Sequence, residues 1–354
     1  MKKLHYGKSN IPQDNIVVLS IDADFLSIDP TTVNDYIGVM ISQALFETLV
    51  VLDHNTSRIT MGAAKSYEIQ EDGKKYIFYI NSNAKWSNGE KVTAGDFEYA
   101  FKRILIEKSP TAQLMYDIVN AEEIDNGEIN KVDELGVCAI NKEIFQITLK
   151  HPVSNFLDIL TDINFAPLPK VVIEEYGDRW TSADVIISNG PFALKEYKKE
   201  EYALLYKNPY YFNSKEKKIQ GIKFEINKDI YSQLESYKEN KVHSTCNTSI
   251  FYNMINEFIK YDDFFIETLS IGSFLFFNWQ RNLFLRDVNI RKALLMSIDK
   301  KLVCEKMHNC ISILNDFVPN GIQNYESNEK NIYNSNEAIK HLKESKNYKK
   351  VERI

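Results

Sequence analysis

The sequence predicts a mixed α/β protein of at least two lobes. Its 354 residues exceed the length at which one hydrophobic core usually stops growing, which is about 250 residues. The hydrophobic share of 44%, with 20 tyrosines and 20 phenylalanines, provides the apolar surface that a folded chain needs. Strand-like and helix-like patterns alternate along the chain, which favours a mixed fold.

The strand predictions depend on short apolar or alternating runs. Residues 15–22 form a β-branched, apolar run that is typical of a buried strand, and residues 76–80 form another. Apolar residues alternate at 145–149 and at 222–226, which predicts half-buried strands.

The helix predictions depend on apolar residues at helical spacing. One face is shared by Ile37, Ile41, Ala44, Leu45 and Leu49. The strongest amphipathic pattern follows Thr93, which forms a capping-box pattern with Asp96. Another helix is predicted to begin after Asp287, and residues 325–350 indicate a polar, weakly packed tail with one short helix.

Several classes of protein are disfavoured by composition and motifs. The net charge of −6, with lysines and acidic residues interspersed, gives no basic surface for nucleic acid. The common phosphate-binding, hydrolase and metalloprotease motifs are absent, so we expect neither an enzyme nor a cofactor. The spacing of Cys304, His308 and Cys310 resembles a metal site, but no fourth ligand is evident and buried structural cysteines are the more common case. No metal is predicted.

The first residues, MKKLHYGKSN, are basic but are followed by no apolar run, so they do not form a secretory signal. No apolar stretch approaches the ~18 residues that a membrane span needs. We therefore expect either that an export signal is missing from this sequence or that the protein stays in the cytosol.

Three ordered segments carry a family resemblance. They are WSNGEKVTAGDFEYAFKR at 86–103, NGPFALKEY at 189–197 with KNPYY at 207–211, and FN at 277–278 with LRDVNIRKAL at 285–294 and SIDK at 297–300. Together they resemble the extracellular solute-binding proteins of family 5, which serve oligopeptide and dipeptide ABC importers. The resemblance runs from about Val17 to Leu342.

The resemblance implies a periplasmic-binding-protein-like two-lobed fold of type II with a ligand cleft. Lobe I would comprise residues 1–51 and 163–268, with residues 52–162 as an inserted subdomain, and residues 269–354 would begin lobe II. The implied ligand contacts are Asp24, Phe25, Asn247, Thr248, Phe274 and Phe276, the last two on a strand before Asn278.

The implied function is capture of a peptide or peptide-like ligand for ABC-transporter permease subunits, by a lipoprotein of the cell envelope. Family members continue beyond the matched region, so we expect an incomplete second lobe and self-association through the edge left uncovered. The alternative is a truncated relative that acts in the cytoplasm, as a sensor or as an accessory protein in peptide-antibiotic biosynthesis.

Overall fold

The computed structural model describes residues 15–53, 56, 58–214, 218–246, 260–263, 272, 274–307, 312–314, 318 and 333–346. The chain forms two compact units, one within residues 9–249 and the other within residues 250–354. The described strands are β1 (Ile16–Ile21), β2 (Val50–Asp53), β3 (Arg58–Met61), β4 (Ala64–Gln70), β5 (Lys75–Ile80), β6 (Val137–Asn141), β7 (Ile144–Thr148), β8 (Phe192–Lys198), β9 (Tyr202–Lys207), β10 (Gly221–Ile226) and β11 (Ser244–Cys246).

The described α-helices are α1 (Tyr36–Leu45), α2 (Ala94–Ile106), α3 (Ala121–Asp125), α4 (Phe156–Ile159), α5 (Lys170–Tyr176), α6 (Ile230–Lys238), α7 (Val288–Ser297), α8 (Lys300–Lys306) and α9 (Ser335–Glu344). Short 3-10 helices span Glu71–Gly73, Ala112–Met115, Val132–Glu134, Ile163–Phe165, Gly177–Thr181 and Leu283–Arg286. The four strands predicted from apolar patterns are confirmed as β1, β5, β7 and β10. The face predicted to run on to Leu49 stops earlier, because α1 ends at Leu45 and Phe46 has extended backbone geometry.

The larger sheet of the N-terminal unit has five strands in the order β11-β1-β10-β9-β8. Strands β11 and β10 are both parallel to β1, whereas β9 is antiparallel to β10 and to β8. Helix α6 connects β10 to β11, as a crossover between parallel strands requires. The carboxyl ends of β1, β10 and β11 therefore lie at one edge of the sheet.

A second sheet lies in the middle of this unit, with four antiparallel strands in the order β4-β5-β7-β6. Helix α2 packs on it, since Phe97 and Phe101 lie 5.9 Å and 5.3 Å from the Phe145 ring, measured between centroids. All three rings are fully buried. The sheet falls inside the predicted insertion at 52–162, but one hydrophobic core includes residues of both sheets. The predicted division into lobe I and an inserted subdomain stays a prediction.

The segment at 86–103 forms a turn and a capped helix. The Trp86 N–H donates to the Glu90 carbonyl at 2.8 Å, and Gly89 adopts the left-handed φ of 91° that the turn requires. The Thr93 N–H donates to the Asp96 carboxylate at 2.7 Å, which confirms the predicted cap of α2. This segment therefore identifies the fold by building a helix start.

The segments at 189–197 and 207–211 bind the end of α1 to the larger sheet. The Asn189 amide accepts from the Glu47 N–H at 3.0 Å and donates to the Glu47 carbonyl at 2.9 Å. Asn208 donates to the Gly190 carbonyl at 2.9 Å. A Cβ at Gly190 would lie 2.6 Å from the Leu45 carbonyl carbon, so the close approach of the two chains needs glycine there.

The C-terminal unit contains α7, α8 and α9 among its described residues. Asp287 begins α7 by accepting from the Asn289 N–H at 2.9 Å, as predicted, and Asp299 caps α8 in the same way. The short helix expected in the polar tail is α9, which packs against α7. Within the described part of the chain, no helix is long and apolar enough to cross a membrane.

Candidate functional site

The carboxyl edge, defined here as the residues that follow β1, β10 and β11, is the candidate ligand site of the N-terminal unit. Asp22 and Asp24 follow β1, and Asn227 follows β10, where its N–H donates to the Ile21 carbonyl at 2.8 Å. Ligands of open α/β sheets usually bind outside the carboxyl ends of parallel strands. The sheet topology thus favours ligand contacts at this edge.

Asp24 is half-buried at this edge and accepts three hydrogen bonds. Its Oδ1 atom accepts from the Phe25 N–H at 2.9 Å. Its Oδ2 atom accepts from the Tyr197 hydroxyl at 2.9 Å and from the Glu200 N–H at 2.9 Å. Among the residues that the structure describes, none forms an ion pair with Asp24, so its charge is oriented without being neutralised.

Phe25 is also half-buried and packs against the edge of the hydrophobic core. Its ring lies 4.6 Å from the Tyr197 ring, measured between centroids, with an interplanar angle of 40°. The next residue, Leu26, is 83% exposed. The loop after β1 therefore has one anchored aromatic residue followed by an apolar side chain in solvent.

Strand β11 ends at Cys246, beside the carboxyl end of β1. Burial raises the pKa of the Cys246 thiol, and the nearby Asp22 carboxylate adds to this rise. The thiol is thus held in its neutral form, which disfavours a nucleophilic role. The predicted contacts Asn247 and Thr248 come directly after β11 in the sequence and lie outside the described residues.

The other two predicted contacts, Phe274 and Phe276, belong to the C-terminal unit. Their ring centroids are 6.2 Å apart, and the side chains are 38% and 78% exposed. The prediction that they lie on a strand is wrong, because residues 274–278 belong to no strand. The strand was implied by the family resemblance, but a strand exists only where its backbone pairs with a neighbour, and resemblance in a short segment does not supply that neighbour.

Sequence reasoning missed two residues that contact the carboxyl edge, Tyr197 and Glu200. Tyr197 lies in the segment that carries the family resemblance, but its contact with Asp24 spans 173 residues and has no local signature. Glu200 has a left-handed φ of 61°, which marks a tight turn between β8 and β9. Asn and Gly are the usual residues for such a turn, so the glutamate gave no signal.

A metal ion finds no ready site in the described part of the chain. No group of three or more His, Cys, Asp or Glu side chains is arranged to hold a metal ion there. Cys304 is half-buried near the end of α8, whereas His308 and Cys310 lie outside the described residues.

The fold is that of the two-lobed extracytoplasmic solute-binding proteins. A crystal structure of a periplasmic oligopeptide-binding protein from Borrelia burgdorferi superposes with a TM-score of 0.83 at 29% identity, and covers 93% of this chain and 66% of that one. Haemophilus influenzae OppA in complex with RPPGFSPFR superposes with a TM-score of 0.81 at 26% identity, over 94% of this chain and 67% of that one.

The family follows from a sequence model that matches residues 58–353, described as "Bacterial extracellular solute-binding proteins, family 5 Middle". This chain belongs to that family. The periplasmic oligopeptide-binding protein OppA of Salmonella typhimurium is 28% identical over 290 residues, which is 80% of this chain and 52% of the relative. The chain thus spans about half the length of the curated relatives it matches.

Proposed function

We propose that this chain captures a peptide or peptide-like ligand for an ABC importer and does not alter it chemically. One observation carries the proposal: similarity to a protein named for oligopeptide binding extends through 80% of this chain. The carboxyl edge supports it, because this edge presents an oriented carboxylate and an anchored aromatic ring beside the ends of parallel strands. The names of the relatives give no support to the alternative of an accessory protein in peptide-antibiotic biosynthesis.

Peptide recognition of this kind works mainly through backbone and termini, so one site accepts many side chains. We assign the cationic group of the ligand to Asp24 and apolar contact to Phe25. Asn247 and Thr248 are proposed as polar contacts, and Phe274 and Phe276 as aromatic contacts from the C-terminal unit.

Native mass spectrometry tests the function directly. The purified protein is incubated with a pool of random tetrapeptides, desalted and analysed for retained mass. We expect a protein ion with one added tetrapeptide, and denaturation should release that peptide unchanged, since no catalytic step is proposed. If no peptide is retained from the pool at any concentration up to the millimolar range, the proposed function is wrong.

The ion pair at Asp24 is tested with Asp24→Asn, which keeps the shape and removes the charge. Truncating one partner of a buried charge pair costs about 2 kcal/mol or more, so the affinity for a retained tetrapeptide should fall at least about 30-fold. N-acetylation of the same peptide should produce a similar loss in the wild type and little further loss in the variant. Unchanged affinity in Asp24→Asn would exclude the ion pair and leave Asp24 with its backbone and Tyr197 contacts alone.

We further propose that the protein works outside the cytoplasm with permease subunits of its importer, as the word periplasmic in the names of its relatives suggests for them. Fractionation of the native host, with an antibody against residues 86–103, tests the location. Recovery in the envelope or extracytoplasmic fraction is the expected result, and recovery only with cytosolic markers would contradict it.

Self-association is proposed through β11, which is one of the two outer strands of the five-stranded sheet in the described part of the chain. An outer strand presents backbone groups that can pair with another chain. Light scattering should show a mass that rises with concentration, and a constant monomer mass up to high concentration would contradict this.

A further inference from the structure

The turn between β8 and β9 contacts the loop that starts at Asp24, and this contact has a functional consequence if the proposed function holds. We propose that Tyr197 and the backbone of Glu200 hold this loop in its ligand-binding position. Tyr197 is then a positioning residue for the peptide site: it acts on the ligand through Asp24 and Phe25 and does not touch the ligand itself.

The geometry shows two independent contacts from Tyr197 to consecutive residues of the loop. Its hydroxyl donates to Asp24 Oδ2 at 2.9 Å, and its ring packs on the Phe25 ring at 4.6 Å between centroids. Both side chains of the ring pair are half-buried against the hydrophobic core. A carboxylate and a ring that both face one tyrosine cannot move separately without breaking one of the contacts.

Glu200 supplies the second donor and fixes the turn. Its N–H donates to Asp24 Oδ2 at 2.9 Å, and its left-handed φ of 61° belongs to the tight turn between β8 and β9. Its own carboxylate forms an ion pair with Lys228, just after β10. The Ile226 N–H donates to the Glu201 carbonyl at 2.9 Å, so the turn is also bound to the end of β10.

We call the contacts of Tyr197 and Glu200 with Asp24 and Phe25 the clamp. The clamp joins the ends of β1 and β10 through the β8–β9 turn. Burial raises the pKa of the Tyr197 phenol, and the hydrogen bond to Asp24 raises it further. The hydroxyl thus stays protonated and remains a donor at neutral pH. Three donors orient the carboxylate while its charge stays available for a cationic ligand group.

The first test is hydrogen exchange in the ligand-free protein. Tyr197→Phe keeps the ring contact and removes only the hydroxyl. Exchange of the Phe25 and Glu200 amides, followed in proteolytic fragments over 22–29 and 198–203, should become about tenfold faster or more. The lost hydrogen bond has a charged acceptor and is worth roughly 1.5 kcal/mol or more, and about 1.4 kcal/mol corresponds to a factor of ten. Exchange in β4 to β7 should not change.

Tyr206→Phe is the matched control. Tyr206 lies on β9 of the same sheet and is 41% exposed, and its substitution should leave all of these amides as in the wild type. Equal exchange at Phe25 in wild type and Tyr197→Phe would overturn the clamp. This result is obtained without a ligand, so it does not depend on the proposed function.

The second test measures binding of the random tetrapeptide pool as the fraction of protein that retains a peptide. Retention should fall at least threefold in Tyr197→Phe and stay unchanged in Tyr206→Phe, with equal urea midpoints for the two variants. Asp24→Ala should lower retention as well, and adding Tyr197→Phe to it should cause no further loss, because the hydroxyl then has no carboxylate to orient.

The outcomes distinguish the proposed function from the positioning role of Tyr197. Wild-type protein that retains no peptide refutes the proposed function, while hydrogen exchange still decides whether the clamp exists. Wild-type binding with unchanged retention in Tyr197→Phe overturns the positioning role of Tyr197, as do independent losses from Asp24→Ala and Tyr197→Phe in the double variant.

Discussion

Removing the Arg103 guanidinium should destabilise the N-terminal unit more than any exposed charge substitution. Arg103, on α2, contacts Asp29 through both carboxylate oxygens, at 2.9 Å and 2.8 Å. It also donates to the Thr31 hydroxyl at 2.5 Å, and the Trp180 indole N–H donates to Asp29 at 3.0 Å. The side chains of Arg103 and Asp29 are only 12% and 11% exposed. The network joins the loop after β1 to α2 and to the 3-10 helix at Gly177–Thr181.

The magnitude follows from what Arg103→Met would leave behind. The methionine keeps much of the apolar stem, but the Asp29 carboxylate stays buried with its cationic partner gone. Breaking a buried pair in this way costs roughly 3–5 kcal/mol. With a urea m-value of about 3 kcal/mol per molar, the midpoint should fall by at least ~1 M.

The assay is urea unfolding followed by tryptophan fluorescence in a Trp279→Phe background, so that the signal comes from the N-terminal unit. The chain contains a matched control, because Arg179 and Asp184 also form an ion pair, at 3.3 Å, but are 71% and 69% exposed. Exposed pairs contribute about 0–1 kcal/mol, so Arg179→Met should barely shift the midpoint. Equal shifts for Arg103→Met and Arg179→Met would refute the reasoning.

Three further predictions concern single polar side chains. The Ser20 hydroxyl is buried and has no hydrogen-bond partner in the described part of the chain, so Ser20→Ala should leave the free energy of unfolding unchanged or raise it. Ser188→Ala removes a 3.0 Å hydrogen bond to a carbonyl and should lower the free energy of unfolding by about 1 kcal/mol. A larger loss for Ser20→Ala than for Ser188→Ala would contradict this prediction. Burial raises the pKa of Asp96 above its ordinary 3.8, so the native state binds the proton more tightly than the unfolded state does. The stability of the wild type relative to Asp96→Asn should therefore fall as pH rises from the ordinary value through the raised pKa. The hydrogen bond from Lys102 lowers the pKa of Asp133, so the stability of the wild type relative to Asp133→Asn should instead fall as pH drops below the ordinary value. Urea titrations from pH 3 to 7 should therefore show the two differences changing in opposite directions, and a parallel change would contradict at least one of the two signs.

The sequence predicted well those features whose partners lie close together in the chain. Thr93 and Asp96 are three residues apart and form the predicted cap, and Asp287 caps α7 because its acceptor and donor are two residues apart. Part of the family resemblance was readable for the same reason, since the segments at 86–103 and 285–294 each contain a local helix cap. The strand predicted for Phe274 and Phe276 failed because a strand depends on a partner elsewhere in the chain.

The candidate site likewise combines residues that the sequence predicted with contacts that it did not predict. The sequence selected Asp24 and Phe25 as ligand contacts, and their place at the carboxyl edge depends on the parallel pairing of β1 with β10 and β11. Nothing in the sequence indicated that Tyr197 and Glu200 would meet Asp24, or that Arg103 would meet Asp29 and Trp180.

The sequence by itself determined the mixed α/β class, the positions of the main strands and helix starts, and membership of a family of solute-binding proteins. These features depend on the periodicity of apolar residues and on contacts between residues a few positions apart. Both can be read from a short segment of sequence without knowledge of the rest of the fold. Only the tertiary structure decided which donors orient the Asp24 carboxylate and which cation neutralises Asp29. Those partners are 173 and 74 residues away, and they meet because burial of the sheet faces brings distant segments together.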